Sequence, residues 1–359
     1  MQAKEIKDIL VINPGSTTTK IAVFTDLNKT ILFEKNIVHD EQKLLEFPRA
    51  ALQQDYRREI IIKELEAADY DMDRLTAVVG RGGVLPGLAG GGYKINDVMC
   101  EEMANHAAEH ASCLGALLAF QIAGKLQIPS FIYDATTGTD LLDIAKVTGI
   151  AGLEKYGAVH LLNSRAQAIK YAQGAGRDYR ELNFINCHMG GGITVNAMKN
   201  GKVIDASSYD DGPMAPERSG GVPLLLMKDL CFDGKHTEED IERLIAGKGG
   251  LYSYLGTKSV REVEKRIDEG DTYAEMIFEA MGFQVAKAIA GLSCVLEGKV
   301  DVIILTGGAA NSDLLCRTIK KYCGHIAPIE VMPGESEMEA LANGTLRMMT
   351  GEEEAKELK

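Results

Sequence analysis

Three short segments rich in glycine and hydroxyl residues have the composition of phosphate-binding turns. The first is NPGSTTTK (residues 13–20). Its glycine lets the backbone approach an anion, its hydroxyls can donate hydrogen bonds, and Lys20 adds a positive charge. It is not a Walker loop, because no GK[ST] opens a helix. A tight polar turn whose hydroxyls bond the backbone explains it equally well.

The other two segments are HMGGG (residues 188–192) and TGGAAN (residues 306–311). Three consecutive glycines are costly between strands unless the backbone needs positive φ or a close approach. A mobile hairpin is the alternative. The third segment joins a predicted strand to a helix, whose N-terminus carries a partial positive charge. A Gly-Gly pair in such a turn is not specific by itself.

The elements around these segments are arranged twice along the chain. Each half opens with three strand-like runs joined by polar links, and alternating helices and strands follow. This repetition indicates an internal duplication, in which the first two turns occupy equivalent places and could hold one polyphosphate. The predicted strands are 9–12, 21–24, 30–33, 77–79, 130–133, 184–187, 193–197, 203–205, 302–305 and 327–331. The predicted helices are 60–65, 98–108, 112–127, 238–246, 258–268, 272–297, 311–322 and 337–349.

The duplication predicts an α/β protein with two lobes that face each other across a central cleft, a natural site for a ligand. We place the N-terminal lobe at 1–180, with the first phosphate turn and the acceptor site. The C-terminal lobe at 181–359 then carries the second turn and the adenosine site. The last part of the first lobe can pack with the second.

Length and charge limit the classes of function. A chain of 359 residues suits two domains. The net charge of -13 argues against a nucleic-acid partner, whereas a small phosphorylated ligand needs few local cations. No signal-like segment or bilayer-spanning apolar run is evident, so we expect a cytoplasmic protein without a membrane partner. The seven scattered cysteines form no CxxC pair and are expected to be reduced.

Taken together, the motifs resemble those of the acetate/butyrate kinase family, within the acetate and sugar kinase, hexokinase and actin superfamily. The resemblance covers nearly the whole chain in order. It implies a duplicated ribonuclease H-like fold, ATP/ADP and Mg²⁺ as cofactors, and a homodimer or larger homo-oligomer. The matching stretches are NPGSTTTK (13–20), GRGGVLPGLAGGGYKIND (80–97), EHASCLGA (109–116), YGAVHLLNSRA (156–166), CHMGGGIT (187–194), PERSGGVP (216–223), TGGAANS (306–312) and PGESEMEALANGTLR (333–347).

The activity that the resemblance implies is transfer of the γ-phosphoryl group of ATP to a short-chain carboxylate, with butanoate favoured. Acetate, propionate and branched acids are the alternatives. A carboxylate is already nucleophilic at pH 7, so the difficulty is charge on the transferring phosphoryl group. The resemblance assigns Arg81 and Arg218 to the cations around the acceptor and His160 to the moving phosphoryl group. It assigns Asp134 to positioning metal or substrate.

Further residues take their roles from the same resemblance. Asn13 and a carboxylate of the Glu335-Ser336-Glu337 segment match metal-side positions, and Glu337 is chosen over Glu335. Oxygen ligands of this kind suit Mg²⁺. The acceptor pocket is assigned to Gly83, Val159 and His110. Gly83 and Val159 replace bulkier residues of acetate kinases and would admit two more methylenes, unless Gly83 merely serves a glycine-rich turn. The nucleotide-binding residues are Ser16, Thr17, Lys20, His188, Gly190, Gly191, Gly192, Gly307, Gly308 and Asn311.

Two other interpretations compete with the kinase. Residues 106–110 fit H-x-x-E-H, a zinc-protease pattern, although catalytic zinc needs a further ligand downstream. A non-catalytic nucleotide-binding switch would keep the phosphate turns but would have no use for Arg81, His160 and Arg218 around an acceptor.

Overall fold

The computed structural model describes residues 6–25, 27, 29–85, 87–105 and 111–359. The chain forms two compact units, one of Met1–Gly138 with Ser336–Lys359 and one of Thr139–Glu335. These bounds differ from the predicted division after residue 180. Residues 139–180 belong to the second unit, where a helix from this segment packs on the second sheet, and the C-terminal helix packs on the first.

The strands form two mixed sheets. In the first, β2 and β3 are antiparallel neighbours of β1, whereas β4 and β6 run parallel to it. The first sheet has the order β12-β5-β6-β4-β1-β2-β3, and the second has the order β11-β10-β7-β8-β9. The strands are β1 (Asp8–Pro14), β2 (Thr18–Thr25), β3 (Thr30–Val38), β4 (Leu75–Arg81), β5 (Gly92–Lys94), β6 (Ser130–Tyr133), β7 (Phe184–Met189), β8 (Ile193–Lys199), β9 (Lys202–Ser207), β10 (Val302–Gly307), β11 (Ile329–Pro333) and β12 (Lys356–Glu357).

The duplication is visible in the strand order. The run β3-β2-β1-β4-β6 of the first sheet has the same order and directions as β9-β8-β7-β10-β11 of the second. The predicted duplicated α/β fold is therefore confirmed. The helices are α1 (Glu41–Leu45), α2 (Gln54–Ala67), α3 (Asp97–Asn105), α4 (Leu114–Leu126), α5 (Asp143–Lys146), α6 (Leu161–Gly174), α7 (Leu224–Cys231), α8 (Glu238–Ile245), α9 (Gly250–Leu255), α10 (Val260–Asp268), α11 (Thr272–Val295), α12 (Asp313–Cys323) and α13 (Glu337–Thr350).

Helices cover the central strands, which explains why those strands are apolar without alternation. In the first unit, β4 is buried between α4 and α13. A Cβ atom on Gly80 would lie 1.9 Å from the carbonyl oxygen of Gly115. The backbones of β4 and α4 therefore touch at this point, and the contact fixes the strand end that carries Arg81.

One helix, α11, is long and apolar enough by length and composition to cross a membrane. In the second unit it packs on β7 and β8, and Phe278, Met281 and Val285 on it are buried in the core. Its apolar composition is accounted for by this packing.

The sequence pattern predicted the central strands and the longer helices to within a few residues, but it missed several elements. The predicted helix 98–108 ends at Asn105 in the described part, and its last residues lie outside that part. The helices α6 and α7 and the short strands β5 and β12 were not predicted. Of these, α6 matters most for the site described below.

Candidate active site

In the first unit, the carboxyl ends of parallel strands bring three predicted residues to one edge of the sheet. Asn13 lies near the end of β1, Arg81 ends β4, and Asp134 follows β6. Ligands bind at this edge in open α/β sheets. The topology thus places an amide, a guanidinium and a carboxylate in neighbouring positions.

The beginning of α13 supplies a second carboxylate to this edge. Asn13 Nδ2 donates to Glu337 Oε2 over 2.7 Å, and Arg81 forms an ion pair with the same carboxylate. Both partners of the ion pair are mostly buried, with side chains 14% and 16% exposed. Glu337, rather than Glu335, is therefore the acid beside Asn13.

Asp134 is held in a strained position at the end of β6. Its φ is 45°, in the left-handed region that a residue other than glycine rarely adopts. The side chain is buried, and Oδ1 accepts a hydrogen bond from the Gly91 N–H over 2.8 Å. The contact ties Asp134 to Gly91, in the glycine-rich stretch after Arg81.

The first phosphate turn connects β1 to β2 and exposes Ser16 and Thr17. The Gly15 N–H donates to the Thr18 carbonyl over 2.8 Å and closes the turn. Lys20 does not reach the tip, because its Nζ lies 2.6 Å from Glu34 Oε1 on the neighbouring strand. In this structure Lys20 is thus paired with Glu34, and its predicted role in nucleotide binding stays a prediction.

A buried arginine on α2, which sequence reasoning missed, holds the inner side of the same turn. The guanidinium of Arg57 donates to the carbonyl oxygens of Gly15, Ser16 and Thr18 over 2.8, 2.7 and 3.0 Å. The available signal was a lone arginine among the apolar positions of a helix, and such a residue is buried only when its donors find acceptors.

In the second unit, the second and third glycine segments meet at the carboxyl ends of β7 and β10. Thr306 pairs with His188 in the parallel register of these strands. Gly307 has a φ of 86°, and a Cβ atom there would lie 2.5 Å from the Met189 carbonyl oxygen. Only glycine fits this contact. Nothing blocks the space above Gly308, whose carbonyl accepts from Asn311 Nδ2 over 2.9 Å.

Two histidines form the centre of this edge. The rings of His160 and His188 stack with centroids 3.8 Å apart and an angle of 11°. Thr194 Oγ1 lies 3.0 Å from His160 Nδ1, and Asn163 Nδ2 lies 2.9 Å from His188 Nδ1. Glu335 Oε1 lies 3.2 Å from His188 Nε2. The unpredicted helix α6 begins directly after His160 and carries Asn163, so it positions both rings.

The remaining residues of the second turn lie against the PERSGGVP stretch. A Cβ atom on Gly191 would lie 2.8 Å from Glu217 Oε1, and one on Gly192 would lie 3.5 Å from Arg218 Cγ. The guanidinium of Arg218 lies 5.7 Å from the centroid of the Tyr209 ring, within range of a cation–π contact. Arg218, the glycine turn and His160 are thus in the same part of the second unit.

Two of the three predicted pocket residues, Gly83 and Val159, are closely packed against neighbouring residues. A Cβ atom on Gly83 would lie 2.8 Å from Cys113 Cα, so any side chain there would collide with backbone. Val159 is 1% exposed and packs in the core with Leu141 and Leu161. His110 and the rest of the H-x-x-E-H segment lie outside the described residues. The described structure therefore gives no free space at Gly83 or Val159 to support the predicted room for two more methylenes.

The arrangement suits chemistry on charged oxygen groups. The first unit places a guanidinium beside hard oxygen donors of Asn13 and Glu337, a donor set that fits Mg²⁺ bound together with phosphate. The described residues contain no group of three or more His, Cys, Asp or Glu side chains that could hold a metal by themselves. The second unit places Arg218 and the two histidines beside glycine turns.

Comparison with known proteins is consistent with this chemistry. Residues 145–339 match the model of the acetokinase family. A protein of Listeria monocytogenes serotype 4b named "probable butyrate kinase" is 43% identical over 353 residues, which are 98% of this chain and 99% of that protein.

Solved structures resemble the fold at lower identity. Acetate kinase from Porphyromonas gingivalis superposes with a TM-score of 0.80 at 19% identity and covers 96% of this chain and 100% of its own. The ROK hexokinase from Thermus thermophilus has a TM-score of 0.52 at 14% identity, covering 96% of this chain and 99% of its own.

Proposed function

We propose that this chain, which belongs to the acetokinase family and is a carboxylate kinase, prefers the reaction butanoate + ATP = butanoyl phosphate + ADP. A carboxylate oxygen of butanoate attacks the γ-phosphorus, and the bond from that phosphorus to the β–γ bridging oxygen breaks. The leaving oxygen carries its electron pair to ADP. No proton has to be removed from the nucleophile, so the protein's task is to position and neutralise anions.

The ion pair of Arg81 with a carboxylate is the observation that supports a carboxylate as the acceptor. Arg81 lies at the sheet edge, and its guanidinium contacts the carboxylate of Glu337. A guanidinium binds planar carboxylates in two-pronged geometry, which is what the acceptor requires. Arg218, which lies near the Tyr209 ring, is proposed as the second cation for the charge that develops on the phosphoryl oxygens.

His160 is proposed to hydrogen-bond the phosphoryl group during transfer. Its Nδ1 lies 3.0 Å from Thr194 Oγ1, and its ring is stacked on His188, so the orientation of the imidazole is set before substrate binds. Asp134 is proposed to position metal or substrate from the end of β6. Preorganised groups of this kind cost no reorganisation when charge develops.

Asn13 and Glu337 would hold Mg²⁺ with the phosphates of ATP. When bound, the metal supplies positive charge that offsets the phosphate oxygens. The second and third glycine turns are proposed to bind the nucleotide, because Gly190, Gly191 and Gly308 leave backbone groups accessible at close range.

The choice of butanoate rests on the 43% identical relative and not on the pocket positions named from the sequence. We test it by trapping the acyl phosphate with hydroxylamine and measuring kcat/KM for acetate, propionate, butanoate, isobutyrate and valerate. We expect butanoate to exceed acetate by about tenfold, the effect of roughly two buried methylenes. A preference for acetate would overturn the butanoate assignment and leave the kinase class intact. Binding of ATP without any hydroxamate would instead indicate a nucleotide-binding switch.

We further infer a cytoplasmic enzyme that forms a homodimer or larger homo-oligomer. Light scattering coupled to size-exclusion chromatography tests the assembly, and a monomeric mass at micromolar concentration would reject it.

A further inference from the structure

We propose that Arg57 is a positioning residue for the nucleotide, which orients the first phosphate turn from inside and supplies the positive charge of that turn. The inference rests on the proposed function, since it names the group that prepares this turn for a polyphosphate. It replaces the role that the sequence assigned to Lys20.

The hydrogen bonds of Arg57 determine the direction of the peptide groups in the turn. Nη1 donates to the Gly15 carbonyl and Nη2 to the Ser16 carbonyl, over 2.8 and 2.7 Å. In a planar trans peptide the C=O and the following N–H point in opposite directions. Two carbonyls directed at Arg57 therefore direct the N–H groups of Ser16 and Thr17 away from it, toward the exposed side of the turn. Successive outward N–H groups form an anion-binding concavity.

The guanidinium is itself fixed. Gln53, one turn earlier at the start of α2, accepts from Nε over 3.0 Å and from Nη2 over 2.8 Å. Thr19 Oγ1 accepts from Nη1 over 3.1 Å and also contacts His39 Nε2 at 2.7 Å. Every donor of Arg57 thus has an acceptor, and the turn cannot rotate without breaking several bonds.

All of these acceptors are neutral, and this points to a ligand. Arg57 is fully buried, and among the described residues no carboxylate pairs with it. Burial lowers the pKa of Arg57 to about 10. A buried charge without a counter-charge is unfavourable, and one in a structural role usually has an acidic partner. Here an anion bound at the outer side of the turn would supply the missing charge.

An ion pair elsewhere in the same unit shows the usual structural arrangement, in which a buried charge has a partner of opposite charge; here the buried charge is Asp8, and the Arg74 side chain is 48% exposed. Asp8 is fully buried, and Arg74 Nε lies 2.8 Å from its Oδ2. That pair is neutral overall and lies at the opposite end of β1 from the phosphate turn. Arg74 therefore offers a matched control, because its loss unbalances a buried charge without touching the turn.

The experiment compares Arg57→Gln, Arg57→Lys and Arg74→Gln in the full-length protein. Calorimetry measures the Kd of ATP, of ADP and of tripolyphosphate, and thermal unfolding measures stability. We expect Arg57→Gln to raise the Kd of ATP by about tenfold to hundredfold, the effect of losing charge-assisted contacts. Arg57→Lys keeps the positive charge but loses the planar guanidinium with its several N–H donors, so its Kd for ATP should lie between those of wild type and Arg57→Gln. Arg74→Gln should lower Tm and leave every Kd within about twofold.

Kinetics separate positioning from general destabilisation. In Arg57→Lys we expect the KM of ATP to rise while the KM of the carboxylate stays unchanged. If Arg57→Gln fails to fold, Arg57→Lys carries the test by itself. Unchanged ATP binding in a folded Arg57 variant, or an equal loss of binding in Arg74→Gln, would overturn the proposal. The binding measurements need no acceptor, so a wild-type protein that binds ATP but forms no acyl phosphate would reject the proposed function alone.

Discussion

The two phosphate turns occupy equivalent places in a duplicated fold but differ in how charge surrounds them. The β1–β2 turn is rich in hydroxyls and is held from inside by Arg57, whose contacts are all neutral. The β7–β8 turn is made of glycines and lies against acidic side chains, with Glu217 beside Gly191 and Glu335 beside His188. Lys258 Nζ lies 2.9 Å from Glu217 Oε2 and partly offsets that acid.

The difference indicates a division of work between the turns. The first turn is arranged to attract an anion, because a buried cation lies directly behind its peptide groups. In the second turn the Glu217 side chain already fills the space that a Cβ atom on Gly191 would need, so that glycine is required by packing. The two halves share the strand order, whereas the charge around each turn comes from side chains outside the strands.

The largest effect, a loss of kcat, is expected when Arg81 of the first unit or Arg218 of the second unit is removed. Arg81→Ala and Arg218→Ala should each lower kcat by about a hundredfold or more, or roughly 3 kcal/mol of transition-state stabilisation. Steady-state kinetics on folded protein measures this. Arg180, an exposed arginine that pairs with Asp178, is the control and should keep wild-type kcat when changed to Ala. A folded Arg81 or Arg218 variant with normal kcat would remove that residue from the mechanism.

The next largest effect is expected from a substitution that breaks the contact between the second and third glycine turns. Gly307→Ala must accommodate positive φ and a clash with the Met189 carbonyl, so we expect it to lower the free energy of unfolding by about 2 kcal/mol or more. Gly308→Ala is the matched control, because open space surrounds it, and its cost should stay below about 1 kcal/mol. Urea unfolding measures both. Equal stability of the two variants would show that the turns do not depend on this contact.

The two glutamates near the start of α13 should differ in their effect on magnesium. Glu337→Gln should raise the Mg²⁺ concentration for half-maximal activity by about tenfold, because a charged oxygen ligand is lost. Glu335→Gln should change it by less than about twofold, since Glu335 contacts His188 instead. Metal titration of each variant decides between them, and the reverse order would assign the ligand to Glu335.

The smallest effect is expected at Lys20. Its ion pair with Glu34 is exposed, with side chains 45% and 42% accessible, and such pairs contribute little. Lys20→Ala should therefore change the KM of ATP by less than about threefold, in contrast to the expected effect of Arg57→Gln. A tenfold rise would restore Lys20 as the cation of the first turn and weaken the contrast between the turns.

Much of the fold and part of the site could be predicted from local patterns. The apolar runs of β1, β4, β7 and β10 are visible because these strands are covered on both faces. The glycine turns are visible because glycine marks close approach. The helix α6 was missed, although Leu161, Leu162 and Ala168 lie on its buried side. Its apolar positions are interrupted by buried Asn163, Ser164 and Arg165, which made the pattern look polar.

The sequence by itself determined most of the strands and turns, and through family resemblance it predicted which residues belong to a kinase site. Only the tertiary structure decided which groups meet. Asn13 and Glu337 are 324 positions apart and touch because α13 returns to the first sheet. The same is true of Arg57, whose donors reach a turn on another element, and of Gly83, whose space is taken by Cys113. Charge pairing and close packing depend on distances between elements, and no local pattern encodes those distances.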